Sequence, residues 1–414
     1  MKAKDENVLY GEETDKQKLK AEKKALKEQL RKEKKDKKEL IKQEKLNKKG
    51  TKEKKNKKKK DNKNKFPLSF FTIFLILMDL CVVSGLVVIN LPKFKTFWVT
   101  SAMTTMSHKY LAYMLYDEAT INKIMSENYI ETVTEEINLD DIVVNDANLF
   151  NKRYTNKYDQ QIFTKDPGND VYKLIRINEG KYKGWLVAIY DPSDVELAVS
   201  SKLGYAGQSV NTLTKNNDGL VGINGGGFED LDGWGNGSIP YGAIIKNGEL
   251  VWNHSGGSGG LIGFTNDHKM YLTYKSPAEA IQDGMKDAVD FGPFLIVNGH
   301  VSRIHGDGGW GTAPRSIIAQ RKDGVVLFLI IDGRNPGYSL GATMNDVINI
   351  LVRYKAYNAA NLDGGASATM SINGSLWNNP YVGAEYGGRT VSNAWIVTNK
   401  QGKNYTVPNK GDYQ

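Results

Sequence analysis

Two aspartates, each followed by glycine at the end of an apolar run, are the residues of this chain best suited to chemistry. Asp332 follows the run at residues 327–331. Asp363 follows a shorter run and is itself followed by a Gly-Gly-Ala-Ser-Ala-Thr segment. Glycine lets the backbone turn sharply and approach a ligand closely, and carboxylates can act on or bind that ligand. Each Asp-Gly pair therefore marks a candidate site.

The segment between these aspartates determines whether they can act together. Thr343 and Asp346 have the spacing of a helix capping box, and apolar residues then recur at helical spacing over 347–354. Strand, helix and strand in this order predict two parallel strands, which would bring Asp332 and Asp363 to the same carboxyl edge of a sheet. We expect these two carboxylates to lie at one site.

Other candidate ligand-binding residues lie in glycine-rich loops or at strand ends. His305, in a turn, is a further candidate acid or base. The first glycine loop lacks the Gly-Lys-Ser/Thr ending of a nucleotide-binding loop, and we expect no cofactor. No Cys/His spacing indicates a metal site; a calcium ion on the aspartates is conceivable but not indicated, so the metal content stays unknown. The candidate substrate-binding residues are Asn224, Gly225, Gly226, Arg315, Arg334, Gly364, Gly365, Ser367, Thr369 and Arg389.

Charge is concentrated at the amino terminus. Residues 1–65 contain 27 Lys or Arg and 13 Asp or Glu, a net charge of +14, whereas the whole chain is at +9, so that the remainder is at −5. Residues 16–46 could form a charged helix, and 52–65 are too polar and self-repelling to fold alone. We expect this tail to lie against anionic lipid rather than to bind nucleic acid.

A long apolar run follows the tail. Residues 66–91 are almost wholly apolar and could cross a bilayer core of about 30 Å. The basic residues on the amino-terminal side predict a single-pass type II protein with its carboxyl-terminal part outside the cell. Asp79 within the span would permit a homo-oligomer. The lone cysteine, Cys81, lies within the span, so the outer part has no disulfides, and the Lys/Asn-rich composition favours a Gram-positive organism.

The part after the span divides by composition. Helical spacing over residues 101–128 and polar residues thereafter predict a stalk or linker at 92–169, followed by a domain at 170–400 and a tail at 401–414. Four turns, Asn247-Gly248, Asn298-Gly299, Asp323-Gly324 and Asn373-Gly374, predict β-hairpins. With one strong helix and many short strands, the domain is predicted to be α+β, with a large mixed sheet and few helices.

The order of motifs resembles the phosphodiester glycosidase family. The resemblance covers about residues 170–400 and depends on six motifs in sequence: Asn-Gly-Gly-Gly-Phe at 224–228, Gly-Pro-Phe-Leu at 292–295, Pro-Arg-Ser-Ile-Ile-Ala at 314–319, Asp-Gly-Arg at 332–334, Asn-Leu-Asp-Gly-Gly-Ala-Ser-Ala-Thr at 361–369 and Arg-Thr-Val-Ser-Asn-Ala at 389–394. The chain departs from the family at Ala366, where glycine or serine is usual, and at Ser316, where threonine is common.

This resemblance implies a hydrolase that cleaves the bond between a sugar, such as an N-acetylhexosamine, and a phosphodiester. Asp363 and Asp332 would face the sugar, because carboxylates stabilise or attack an oxocarbenium-like centre, and arginines would bind the phosphate. We expect a surface enzyme acting on cell-wall, capsular or exopolysaccharide material. Two alternatives stay open: a non-catalytic module that binds such polymers, and a transferase that uses a sugar-phosphate donor. The sugar, its anomeric form and the physiological polymer are left open.

Overall fold

The structure is a computed structural model. It describes residues 32, 35–39, 41–43 and 68–413, apart from 145, 152, 153, 155, 231, 232, 234, 258, 384 and 386. The polar run predicted at 52–65, and most of the charged helix predicted at 16–46, lie outside the described residues. By its internal contacts the chain divides into Met1–Val83 and Ser84–Gln414.

Within the charged tail, the described residues 32, 35–39 and 41–43 are helical. The helices with defined bounds are short apart from α1, which has no buried side chain between residues 70 and 88 and is long and apolar enough over Phe70–Asn90 to cross a membrane. The helices are α1 (Leu68–Asn90), α2 (Pro92–Met103), α3 (Tyr110–Tyr113), α4 (Glu118–Glu127), α5 (Lys157–Phe163), α6 (Val210–Asn216), α7 (Pro277–Gln282) and α8 (Met344–Arg353).

The strands form three larger sheets and two short pairs. The strands are β1 (Tyr129–Glu131), β2 (Tyr172–Asn178), β3 (Lys183–Ile189), β4 (Val195–Val199), β5 (Gln208–Ser209), β6 (Val221–Asn224), β7 (Gly242–Lys246), β8 (Glu249–His254), β9 (Leu261–Thr265), β10 (Met270–Thr273), β11 (Met285–Asp290), β12 (Phe294–Val297), β13 (His300–Val301), β14 (Arg303–His305), β15 (Arg315–Arg321), β16 (Val326–Ile331), β17 (Ala356–Leu362), β18 (Met370–Ile372), β19 (Ser375–Leu376), β20 (Thr390–Val391) and β21 (Asn393–Val397).

The α+β class predicted from the sequence is confirmed. The seven-stranded sheet has the order β13-β12-β17-β15-β16-β3-β2, and two five-stranded sheets have the orders β19-β18-β6-β21-β4 and β10-β9-β11-β7-β8. Strands β1 and β14 pair separately, as do β20 and β5. Strands β15, β16 and β17 are buried at every position, since both faces of the seven-stranded sheet are covered.

The four predicted hairpin turns all join paired strands. They connect β7 to β8, β12 to β13, β15 to β16 and β18 to β19. In three of them the asparagine has a φ of 51° to 53° and the glycine a φ of 71° to 82°. These positive values fit the tight turns whose twist matches that of the flanking strands, which is why Asn-Gly predicted them.

The strand–helix–strand prediction needs one revision. Strands β16 and β17 run in the same direction, and α8 begins with the predicted capping box between Thr343 and Asp346. However, β15 lies between the two strands and pairs antiparallel with both. The strand pairs recorded in the described part are antiparallel throughout, although a mixed sheet was predicted. Asp332 and Asp363 still follow the same edge of the sheet, two strands apart.

The segment after α1 is a helical hairpin that packs against the domain. Helices α2, α3 and α4 share a small core of Val99, Ala102, Ala112, Ile121 and Ile124. The Thr100 hydroxyl donates to the Asp307 carboxylate, and the Thr312 N–H donates to Ser101 Oγ at 3.4 Å. The part of the predicted stalk nearest to α1 is thus fixed to the loop that precedes β15.

Candidate active site

One pocket contains most of the predicted site residues. Its volume is about 450 Å³, and it lies where the loop after β6, the start of β15, the loop after β17 and the segment before β20 meet. A further wall comes from residues 104–108, between α2 and α3. The predicted residues that line it are Asp363, Gly364, Gly365, Ser367, Arg315, Arg334 and Arg389.

Asp363 is the carboxylate of this pocket for which a shifted pKa is resolved. It follows directly after β17, and its backbone N–H donates to Gly225 O at 3.1 Å. Burial raises the pKa of the Asp363 carboxyl to about 6, although a hydrogen bond from Ser367 and the charges of Arg389 and Arg334 lower the pKa. The group is therefore ionised at neutral pH but takes up a proton under mildly acidic conditions.

A polar cradle behind the pocket holds the Asp363 loop in place. Asn224, at the end of β6, donates from Nδ2 to Asp363 O at 2.5 Å and accepts at Oδ1 from the Thr369 N–H at 3.2 Å. A side chain at Gly225 would lie 2.0 Å from Asn393 Oδ1, so the close approach of these strands requires glycine. Gly226 donates its N–H to that same oxygen. These predicted residues position Asp363 without lining the pocket themselves.

Arg315 presents a buried positive charge to the pocket. Its Nε donates to Ala342 O at 3.0 Å, and its Nη2 donates to Trp310 O at 2.7 Å and Gly311 O at 2.6 Å. Among the described residues no carboxylate forms an ion pair with it. Burial and the neighbouring Arg334 lower the pKa of Arg315 to about 9, which leaves the guanidinium charged at neutral pH. A buried cation held only by carbonyls is suited to an anionic ligand.

Arg334 provides a second cation without an ion pair in the described part of the chain. Its guanidinium lies 5.4 Å from the centre of the Tyr381 ring, and burial lowers its pKa. The backbone at Arg334 has a φ of 56°, an unusual conformation for a non-glycine residue and one that often marks a functional position. Gly365, whose φ is 58°, comes close to the same guanidinium.

Arg389 differs from the other two arginines because its charge is balanced. It forms a two-pronged ion pair with Asp230 and also donates to Gly235 O at 3.0 Å. Its guanidinium stacks 4.7 Å from the Phe228 ring centre. Arg389 and Asp230 together close one side of the pocket without adding net charge. The excess positive charge therefore comes from Arg315 and Arg334.

The structure does not bring Asp332 and His305 to this pocket. Asp332 Oδ1 accepts from Asn378 Nδ2 and from the Asn379 N–H, both at 2.9 Å, and its Oδ2 accepts from Tyr338 at 3.0 Å. Its oxygens are thus occupied by neighbouring loops, and burial raises its pKa. His305 lies on β14, bonded to Glu131 at 2.9 Å and stacked on Tyr129. Asp332 fixes loops, and His305 belongs to a surface strand pair.

Some pocket residues were not predicted from the sequence. Asp230 follows the first glycine loop directly, and its position six residues after Asn224 was the available signal. Tyr241 and Tyr381 lie in segments with no motif, and residues 104–108 precede the predicted domain altogether. Within the described residues, no group of three Asp, Glu, His or Cys side chains could hold a metal ion.

Comparison with known proteins bears on the family of the domain. Residues 217–398 match the family model of the phosphodiester glycosidases. A curated relative, the SPbeta prophage-derived uncharacterized protein YomE of Bacillus subtilis (strain 168), is 27% identical over 208 residues, which are 46% of this chain and 31% of that protein. This chain thus spans about a third of that relative's length.

Two solved structures overlap the domain. One is the zebrafish N-acetylglucosamine-1-phosphodiester alpha-N-acetylglucosaminidase catalytic domain, auto-inhibited by pro-peptide, at 22% identity and a TM-score of 0.46, over 57% of this chain and 87% of that one. The other is a hypothetical protein from Synechocystis, at 17% identity and a TM-score of 0.39, over 55% and 61%. The family predicted from the six motifs is confirmed by the family model: residues 217–398 of this chain match the phosphodiester glycosidases.

Proposed function

We propose that this protein is a membrane-anchored, outward-facing hydrolase that cleaves the bond between a sugar and a phosphodiester. The observation that carries the proposal is the charge arrangement of one pocket: Asp363 lines it together with Arg315 and Arg334, two arginines without an ion pair in the described part of the chain. A phosphodiester carries one negative charge, which these arginines would bind. The sugar would then lie against the carboxylate.

The chemistry follows from where charge develops. Breaking the bond between the anomeric carbon and the phosphate oxygen leaves positive charge on the sugar and a second negative charge on the departing phosphate. The Asp363 carboxylate opposes the first charge, as nucleophile, base or electrostatic stabiliser. Arg315 and Arg334 oppose the second, and since this charge is larger in the transition state than in the substrate, their binding accelerates the step. Water supplies the oxygen that ends on the sugar.

The apolar helix and the basic tail determine where the proposed enzyme would meet its substrate. The apolar helix α1 would be the anchor, with the basic tail inside the cell and residues 92–414 outside. Cell-wall, capsular or exopolysaccharide material with N-acetylhexosamine phosphodiesters is the substrate class that fits such a location. We propose Asn224, Gly225, Gly226 and Thr369 as residues that hold the site in shape, and Gly364, Gly365 and Ser367 as its floor.

The test is hydrolysis of N-acetylglucosamine-1-phosphate methyl diester, in both anomeric forms, by the full chain in detergent micelles. The reaction is run in ¹⁸O-labelled water and followed by mass spectrometry. We expect the label in the released sugar, whereas label in the phosphate would mean cleavage at phosphorus and would refute the glycosidase mechanism. Asp363→Asn should abolish release, and Asp218→Asn, at an exposed turn, is the matched control. Binding of either diester without release would favour the non-catalytic alternative.

A further inference from the structure

One helical hairpin, residues 92–116, contacts both the end of α1 and the pocket. Its first helix, α2, starts two residues after α1 ends, and the Tyr116 hydroxyl at its far end donates back to Ile89 O, in the last turn of α1, at 2.6 Å. Between these points, residues 104–108 line the pocket. The 12 residues of α2 extend about 18 Å at about 1.5 Å per residue. The pocket is therefore held close to the end of α1.

The hairpin packs against the pocket on the side of Arg315, the arginine that we propose binds the phosphate. Trp310 and Gly311, whose carbonyls accept from Arg315, belong to the loop against which α2 packs. A side chain at Gly311 would lie 2.7 Å from the Ser101 backbone, so this contact is tight. Ser107 packs closely against Gly233, and both residues line the pocket. The hairpin side of the pocket is thus the side from which the phosphate is bound.

The hairpin exposes large apolar side chains that have no cover in the described structure. Met114 is 71% exposed, Tyr110 56% and Tyr113 52%, and their spacing places them on one face of α3. Phe97 and Met106 are also exposed, and the exposed Lys93 and Lys109 accompany them. Aromatic and apolar side chains beside lysines are typical of segments that lie in the interface of a bilayer. The hairpin that carries these side chains follows, in the chain, an apolar helix that could cross the membrane.

We infer that the 92–116 hairpin lies on the outer surface of the bilayer and presents the pocket to membrane-held substrates. The substrate class is a sugar-1-phosphodiester whose other ester group is a lipid, because the ester group on the far side of the phosphate would extend out of the pocket toward the hairpin. This inference about the substrate depends on the proposed hydrolase function, whereas the lipid contact does not. Confinement to one surface raises the effective concentration of such a substrate, without new contacts in the pocket.

Lipid contact is tested with the full chain in vesicles of phosphatidylglycerol and phosphatidylcholine. In a Cys81→Ser background, Met114→Cys and Tyr205→Cys are each labelled with a nitrobenzoxadiazole dye; Tyr205 is 87% exposed and does not belong to the hairpin. We expect brominated lipid to quench the dye at position 114 several-fold more than the dye at position 205. Equal quenching at the two positions would overturn the inference.

Substrate class is tested by comparing hexadecyl and methyl diesters of N-acetylglucosamine-1-phosphate in the same vesicles. We expect kcat/KM for the hexadecyl diester to exceed that for the methyl diester by about 10²-fold. The double variant Tyr113→Ser/Met114→Ser should lose most of this preference at an unchanged rate on the methyl diester, and Tyr205→Ser should keep it. A preference that survives in the double variant would overturn the role of the hairpin. Cleavage of neither diester would refute the hydrolase function and the substrate class, and quenching would still decide the lipid contact.

Discussion

Replacing Asp363 by asparagine should abolish turnover and, at neutral pH, stabilise the fold. Burial raises the pKa of this carboxyl to about 6 from an ordinary value of 3.8. The folded protein therefore binds a proton more tightly than the unfolded chain, and stability falls as pH rises from about 4 to about 6. A shift of about two pKa units corresponds to about 2 to 3 kcal/mol, which the ionised carboxylate costs the fold above that window. Asparagine removes this cost.

The size of the effect depends on pH in a way that identifies its cause. At pH 7.5 the variant should be more stable by about 2 to 3 kcal/mol. At pH 4.5 the difference should be only about 1 kcal/mol, since the carboxyl is then protonated in the folded wild type and the pH lies only slightly above its pKa in the unfolded chain. For the 84–414 unit this corresponds to a melting temperature higher by about 3 to 4 °C at the higher pH. Asparagine keeps the shape of the side chain, so packing should not change.

The assay is thermal unfolding of wild type, Asp363→Asn and Asp218→Asn at both pH values, beside the rate of diester hydrolysis. Asp218 is exposed, so its variant should match the wild type in stability and rate. A melting temperature of Asp363→Asn at or below that of the wild type at pH 7.5 would refute the argument from burial. If the variant is more stable but still active, the argument from burial holds and Asp363 has no role in the reaction.

Three further predictions concern the groups around Asp363. Arg334→Gln should raise KM for the methyl diester by about 10- to 100-fold, because a charge-assisted contact to phosphate is lost; an unchanged KM would place the phosphate elsewhere. Arg389→Gln should destabilise the fold by about 3 kcal/mol in urea unfolding, since Asp230 is left buried and unpaired, and adding Asp230→Asn should recover much of this loss; a double variant no more stable than the single would contradict it. Asn224→Ala should cost about 1 to 3 kcal/mol and lower kcat as well, and a normal kcat would mean that the Asp363 loop holds its shape alone.

Local rules accounted for much of the fold. The Asn-Gly turns require two residues with positive φ, a condition set within four residues of sequence, and all of the predicted turns join paired strands. The capping box of α8 is similarly local. The position of β15 between β16 and β17 is not, because pairing of distant strands depends on the whole sheet. The direction of the two outer strands could be predicted, but their separation could not.

That separation decides which predicted residues share the site. Neighbouring strands lie about 4.8 Å apart, so two strands with a third between them place their ends about 10 Å apart. Asp332 therefore meets the loop that contains Asn378, whereas Asp363 meets the first glycine loop and the arginines. The pocket wall at residues 104–108 could not be predicted from motifs, because it comes from a segment before the matched region and reaches the site only through helix packing.

The pocket combines two groups that are each unfavourable in the free protein. Arg315 has its charge buried among carbonyls, and Asp363 ionises against the effect of burial. Direct contact between them would have relieved both, at the loss of a binding place for phosphate. Carbonyls hold Arg315 on one side and Asn224 holds the Asp363 loop on the other, which opposes direct contact between the two charges. A ligand with a negative phosphate at the arginine and a developing positive charge at the carboxylate stabilises both at once, and rigid strands that keep the charges apart therefore favour the transition state over the empty pocket.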